Sequence, residues 1–391
     1  MYEVFASRFP GAADFFPRWY GGRALLLDGR NPYDREVALE AQLGLFGRYT
    51  APWEDQVAFA YPLYTLFTFF PLVYVPYAAA QAVWMVALQF GLIYGAILCL
   101  RWVKWQPPLW LLALTLLWAV FFYPGGRSIM LGQFSVIVFA FLVSALVAFE
   151  HKWDYLGGAC LALTTIKAQM VFMLIPLLLL WALAHRRWQI LIGFAGALLT
   201  LILAGMLLVP TWPRDFYTGL SAYSGYVGFY SPIENLTRTF AAPIAIPLAN
   251  GLSVVLLGFM LFIWWQVWRL RQKTGWFVYA LMLTLIIGNL VAFRSATTNH
   301  VILYLPLMLW FRRLSELSPT PHRVSLSPSQ LVFLTQTGLN LLLWFGFLKF
   351  IIGANFEHPF MHGFLPLLLL ILYLADWRGL FQIAQKVEAG G

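Results

Sequence analysis

The chain has 391 residues, 61% of them hydrophobic and only 10% charged. Soluble domains run at about 45–50% apolar and about 25% charged, so a water-soluble fold of this length is excluded. The formal net charge of +9 does not read as nucleic-acid binding, because the basic residues form short clusters between apolar runs, as cytoplasmic loops do.

Residues 1–58 form the longest polar stretch, rich in aromatics, with acidic residues from Asp14 to Asp55. They read as an extracytoplasmic loop with short interfacial helices, 35–48 being the best candidate. The opening segment lacks the basic-then-apolar pattern of a signal peptide. Residues 59–391 read as one membrane domain. Apolar runs lie near 59–75, 77–100, 108–123, 133–149, 155–184, 189–210, 245–268, 276–293, 300–314, 331–352 and 362–375. At about 20 residues per crossing they predict an all-α polytopic membrane protein with about eleven or twelve membrane helices.

Charge sets the orientation of the second half. The clusters at 185–187, 269–273 and 312–313 are expected on the cytoplasmic side, which puts 211–244, 294–299 and 353–361 on the outer side. The N-terminal half stays open, because either 59–100 or 155–184 could hold one crossing or two. Pro62, Pro71, Pro76 and Pro176 interrupt these runs, as helices do where they kink or line a cavity. Cys99 and Cys160 sit in apolar sequence and form neither a metal-ligand pattern nor a disulfide framework.

A few polar residues stand out against this background. Asp14 is flanked by aromatics in the first loop. Lys167 has apolar sequence on both sides, and a lysine at such depth must snorkel, pair or face a wet cavity. Arg127 and Gln133 lie in a polar insertion, Asn235 and Arg238 are spaced to share one helical face, and Arg294 and His300 flank a short loop. A carboxylate base, several cations and a large apolar surround suit an anionic, lipid-linked substrate. No metal cluster, phosphate-cradling glycine loop or nucleophile elbow competes.

The stretch from Asp14 through Tyr20-Gly-Gly-Arg23 to Asn31-Pro32-Tyr33-Asp34 resembles the first outer loop of the family-87 glycosyltransferases, which are GT-C enzymes. Further matches follow in order: Phe59-Ala60-Tyr61-Pro62-Leu63, Gly132-Gln133, Ile166-Lys167, Asn235 to Arg238, and His300 ahead of 303–309. The resemblance implies a GT-C-type multi-helix bundle with its active site on the extracytoplasmic face of a bacterial plasma membrane. It also implies inverting, metal-independent transfer of a hexose, mannose in that family, from a polyprenyl-phosphate-linked sugar donor to a lipid or glycan acceptor, with no cofactor.

By the same resemblance Asp14 is the expected general base, and Lys167, Arg238 and His300 are expected to bind the donor phosphate. Tyr20, Asn31, Tyr33, Tyr61, Arg127, Gln133 and Asn235 are expected substrate-binding residues. Family members carry a membrane helix before the aspartate loop, whereas Asp14 here follows only 13 residues. An inactive relative lacking that helix is therefore one alternative, and a transporter or flippase of a lipid-linked or anionic substrate is the other.

Overall fold

Runs of apolar residues with helix-forming leucine and alanine fold as helices, and the computed structural model contains seventeen α-helices and no strand among its described residues. Those residues are 11–226, 230–270, 274–293, 295–317, 326–352 and 357–389. In chain order the helices are α1 (Phe16–Asp28), α2 (Arg35–Phe46), α3 (Tyr77–Trp102), α4 (Leu109–Phe121), α5 (Tyr123–Leu131), α6 (Ser135–Glu150), α7 (Asp154–Leu163), α8 (Leu174–Ala184) and α9 (Trp188–Leu208). Then come α10 (Trp212–Tyr226), α11 (Pro232–Phe240), α12 (Ala245–Arg269), α13 (Trp276–Val291), α14 (Tyr304–Ser315), α15 (Pro328–Phe350), α16 (Pro359–Ala375) and α17 (Trp377–Ala389).

The chain is an all-α polytopic membrane protein. Helices α3, α9, α12 and α15 are each long and apolar enough to cross a bilayer, and two bent pairs, α4 with α5 and α16 with α17, raise the count to six among the described residues. Helices α6, α8 and α13 are apolar but shorter. This is fewer unbroken spans than the eleven or twelve expected from the apolar runs, and proline and 3-10 geometry account for the difference. Run 59–75 holds two 3-10 stretches, Leu63–Thr68 and Phe70–Tyr74, rather than a span. Run 155–184 is broken between α7 and α8 by the 3-10 stretch Thr164–Met170, with Lys167 at non-helical φ/ψ. The outward faces of α9, α12 and α15 leave leucine, valine and phenylalanine exposed over their length, a surface that lipid covers.

Burial follows from close backbone approach and from bonded aromatic tips. Helices α7 and α9 pack through glycines: a Cβ on Gly158 would stand 2.2 Å from the Ile190 carbonyl, and one on Gly193 2.3 Å from that of Tyr155, as small residues allow in membrane helices. Buried Tyr304, Tyr373 and Trp118 donate to the carbonyls of Ala119, Pro306 and Gln336 on neighbouring helices at 2.8–3.0 Å. Each thereby satisfies its polar tip inside an apolar core.

The two ends of the bundle differ in charge. At one end Lys104 meets Glu150 at 3.4 Å and the Val387 carbonyl, Arg187 pairs with Asp154, and Arg313 pairs with Asp376 at 2.7 Å. Arg312 donates to the Val103 carbonyl at 2.6 Å. The 101–104 cluster thus lies at the same end as 185–187 and 312–313. Helices α3 and α6 run from this end to the opposite one, where Asp14 and Gln133 lie.

Candidate active site

The residues before α1 are held against the C-terminus of α5. The amides of Ala12 and Asp14 donate to the carbonyls of Met130 and Leu131 at 2.9 and 3.0 Å, filling two acceptors that a helix end leaves open. Helix α5 ends at Gly132 in the left-handed region, φ +70, and a Cβ there would meet Phe15 and Ala12 Cβ atoms at 2.7 and 2.8 Å. Only glycine permits this crossing. Phe15 is fully buried, stacked on Trp84 at 4.9 Å and edge-on to Phe69 at 5.3 Å. Tyr77 donates its hydroxyl to the carbonyls of Gly11 and Ala12. Asp14, half-buried, is thus placed by a fixed backbone.

Gln133 follows the glycine directly. Its Nε2 donates to Asp14 Oδ2 at 2.5 Å, and its Oε1 accepts from Lys167 Nζ at 2.7 Å and from the Tyr61 hydroxyl at 3.5 Å. Lys167 is 6% exposed, and the broken helix at 164–170 is what aims it inward. A buried ammonium needs such a partner. The structure therefore joins Asp14, Tyr61, Gln133 and Lys167 in one hydrogen-bonded group.

Arg18 and Asp55 belong beside this group and were not singled out from sequence. Arg18 Nη1 donates to the Asp14 carbonyl at 2.9 Å, its guanidinium sits 4.5 Å over the Tyr61 ring, and its buried Nε has no partner. The signal was available: Arg18 lies one helical turn after Asp14. Asp55 caps the Val57 amide at 2.9 Å. Surrounding protein raises its carboxyl although its outer edge is exposed; the Val57 amide and Arg18 oppose the rise, and Asp14 adds to it.

Of the remaining expected residues, Tyr33 and Asn31 join that group only through the Tyr61 backbone, and the others lie outside it. Tyr33 donates to the Tyr61 carbonyl at 2.7 Å, and Asn31 bonds the Tyr33 amide and Asp215, so both brace the Tyr61 segment from behind. Tyr20 bonds Glu40 at 2.9 Å, and Glu40 pairs with Arg30, a tie between α1 and the chain that follows it. Arg238 pairs with Glu234 at 2.8 Å and lies over Tyr230. No hydrogen bond or ion pair joins Arg238 or His300 to the Asp14 group among the described residues. Arg294 lies outside the described residues.

His300 belongs to a second, buried polar group. Its ring stacks on His362 at 6.2 Å. Asn235 donates to the Glu357 carbonyl at 2.9 Å and lies 3.4 Å from His362 Nδ1. Thr297 donates its amide and hydroxyl to Glu357 Oε1 at 3.2 and 2.9 Å, and the Tyr123 hydroxyl is 3.3 Å from that of Thr297. Arg127 lies 5.0 Å over Phe347 and contributes its charge to the surroundings of Glu357. Helix α5 separates the two groups: it carries Arg127 and Ser128, which reaches the Thr298 carbonyl, on the way to Gln133.

An apolar groove of about 640 Å³ lies among α3, α4, α5 and Trp344 of α15. Gln89, Leu117, Val120, Ile129, Met130 and Trp344 are among its walls. Met130, at its rim, accepts the Ala12 amide described above. The described residues hold no cluster of three or more histidines, cysteines or carboxylates fit for a metal.

No curated protein and no solved structure matches the chain. The sequence model of glycosyltransferase family 87 matches residues 59–292, more than half of it. That span includes Tyr61, Arg127, Gln133, Lys167, Asn235 and Arg238, while Asp14, Tyr20, Asn31, Tyr33 and His300 fall outside. By that match the chain belongs to glycosyltransferase family 87.

Proposed function

We propose that the protein moves a hexose, mannose by its family resemblance, from a polyprenyl-phosphate donor to a lipid or glycan acceptor, with inversion and with Asp14 as general base. The observation that carries this reading is the Asp14–Gln133–Lys167 chain, which sets a half-exposed carboxylate beside a buried cation. Asp14 Oδ1 takes the proton of the acceptor hydroxyl as its oxygen attacks the anomeric carbon. The bond from that carbon to the phosphate oxygen breaks, and polyprenyl phosphate leaves with the electron pair. Lys167 stabilises its charge, with Arg18 in the place expected for Arg238, which pairs with Glu234, and His300, which lies in the second group.

The groove supports a lipid-linked donor, since its apolar walls suit a hydrocarbon chain and Met130, one of them, holds the segment that leads into Asp14. The basic end supports a cytoplasmic assignment for 101–104, 185–187 and 312–313, hence an extracytoplasmic Asp14; the bacterial plasma membrane is what the family resemblance implies. Residues 1–58 then form an outer loop on a GT-C-type bundle spanning 59–391.

Transfer from radiolabelled polyprenyl-phosphate-mannose into membrane lipid extract, compared between wild type and Asp14→Asn, tests the reading. Labelled product from wild type alone supports it. Product from both removes Asp14 as the base, and product from neither speaks against this donor.

A further inference from the structure

We propose that Gln133 is a positioning residue that ties down one oxygen of Asp14 and keeps Lys167 off the carboxylate, leaving the other oxygen free to take a proton. This rests on the reading of Asp14 as base. The amide stands between a cation and an anion, donating to Asp14 Oδ2 at 2.5 Å and accepting from Lys167 Nζ at 2.7 Å. An ammonium in direct contact would bring three donors to the carboxylate and could occupy both oxygens. The amide offers Asp14 a donor in fixed geometry, and the Lys167 bond to its oxygen polarises it so that it donates more strongly.

The surroundings fix the amide in turn. Its backbone follows left-handed Gly132, and Tyr61 approaches its oxygen from a third direction. Asparagine is one methylene short of spanning both partners. Glutamate keeps the shape and the Lys167 bond but sets carboxylate against carboxylate. The other charged or titratable groups near Asp14 are Arg18 on α1, Asp55 on the following segment, Tyr61, and Tyr77 at the start of α3. All of them stay unchanged in a Gln133 variant.

The full-length enzyme is assayed with polyprenyl-phosphate-mannose and membrane lipid extract as wild type, Asp14→Asn, Gln133→Leu and Gln133→Glu. In Gln133→Leu, kcat is expected to fall on the order of a hundredfold, as misplacement of a reacting group does, with KM for the donor little changed. In Gln133→Glu the acidic limb of the rate profile is expected to move to higher pH by about one unit, the typical spread caused by protein surroundings. An unmoved limb together with a change confined to KM overturns the proposal. Infrared titration of the carboxylate band that vanishes in Asp14→Asn reads the same contact without turnover, and a midpoint unmoved in Gln133→Glu also overturns it. If wild type and Asp14→Asn turn over equally, the assignment of the base fails instead.

Discussion

The Cβ of Ala12 lies 2.8 Å from where a Cβ on Gly132 would stand, so the segment before Asp14 crosses the end of α5 in backbone contact. Gly132→Ala forces a side chain into both the left-handed region, at about 1–2 kcal/mol, and the Ala12 contact. Stability should fall by at least that strain. Turnover should fall further, because the same carbonyls that meet Ala12 and Asp14 would be displaced. Melting temperature and transfer rate measured on one preparation check this, and full activity in Gly132→Ala would contradict it.

Lys167 places an ionisable amine in an apolar region, a position that favours a functional role over a stabilising one. Lys167→Met relieves the cost of a buried amine but leaves Gln133 Oε1 with only the Tyr61 hydroxyl at 3.5 Å, two effects of opposite sign that roughly offset. Expected are an unchanged or higher melting temperature and loss of transfer. A melting temperature lowered by several degrees with transfer retained would make Lys167 structural.

Glu357 supplies a pH dependence of stability. Burial raises its carboxyl, while its bonds from Thr297 and the charge of Arg127 oppose the rise without cancelling it. The folded chain therefore holds that proton more tightly than the unfolded one. The resulting stability is present at acid pH and is lost as pH rises through the raised value. Glu357→Gln keeps an oxygen for Thr297 and gives the otherwise unpartnered Oε2 position a neutral group. It should melt higher than wild type at neutral pH, by about 1 kcal/mol in stability, with a flatter profile from acid to neutral. A lower melting temperature at neutral pH would show that the charged form is needed.

Leu117 is 55% exposed on the wall of the apolar groove. Leu117→Trp should partly fill the groove without disturbing the core. Under the lipid-donor reading, KM should rise for a long-chain polyprenyl donor and stay near wild type for a donor with a much shorter tail. Equal effects on both donors would remove the groove from the donor's path.

The group around Asp14 was legible in the sequence for two separate reasons. Lys167 violates the cost of charge at membrane depth, and the Gly132-Gln133 and Asn31-Pro32-Tyr33 pieces were picked out by their resemblance to family-87 glycosyltransferases. Their meeting point was not legible, because it depends on a helix breaking at 164–170 and on a chain crossing at Gly132. Arg238 shows the opposite case. Its spacing from Asn235 was read correctly as one helical face, yet Glu234, one turn earlier, captures it while Asn235 turns to Glu357 and His362. Glu357 and His362 were passed over, since each lies alone in sequence and only packing brings them to Thr297 and His300. Unbroken spans are fewer than apolar runs for a similar reason: hydropathy registers apolar length, and the 3-10 stretches at 63–74 are as apolar as a crossing.

Under the lipid-donor reading the donor enters the groove beside α5 from the bilayer, and that changes what concentration means for this enzyme. A donor arriving by that route is sampled from two dimensions, so its abundance relative to other lipids sets the rate. Diluting the donor with inert phospholipid at constant bulk amount should slow transfer as if substrate had been withdrawn. Activity in the cell would then follow the lipid composition of the membrane rather than any dissolved pool.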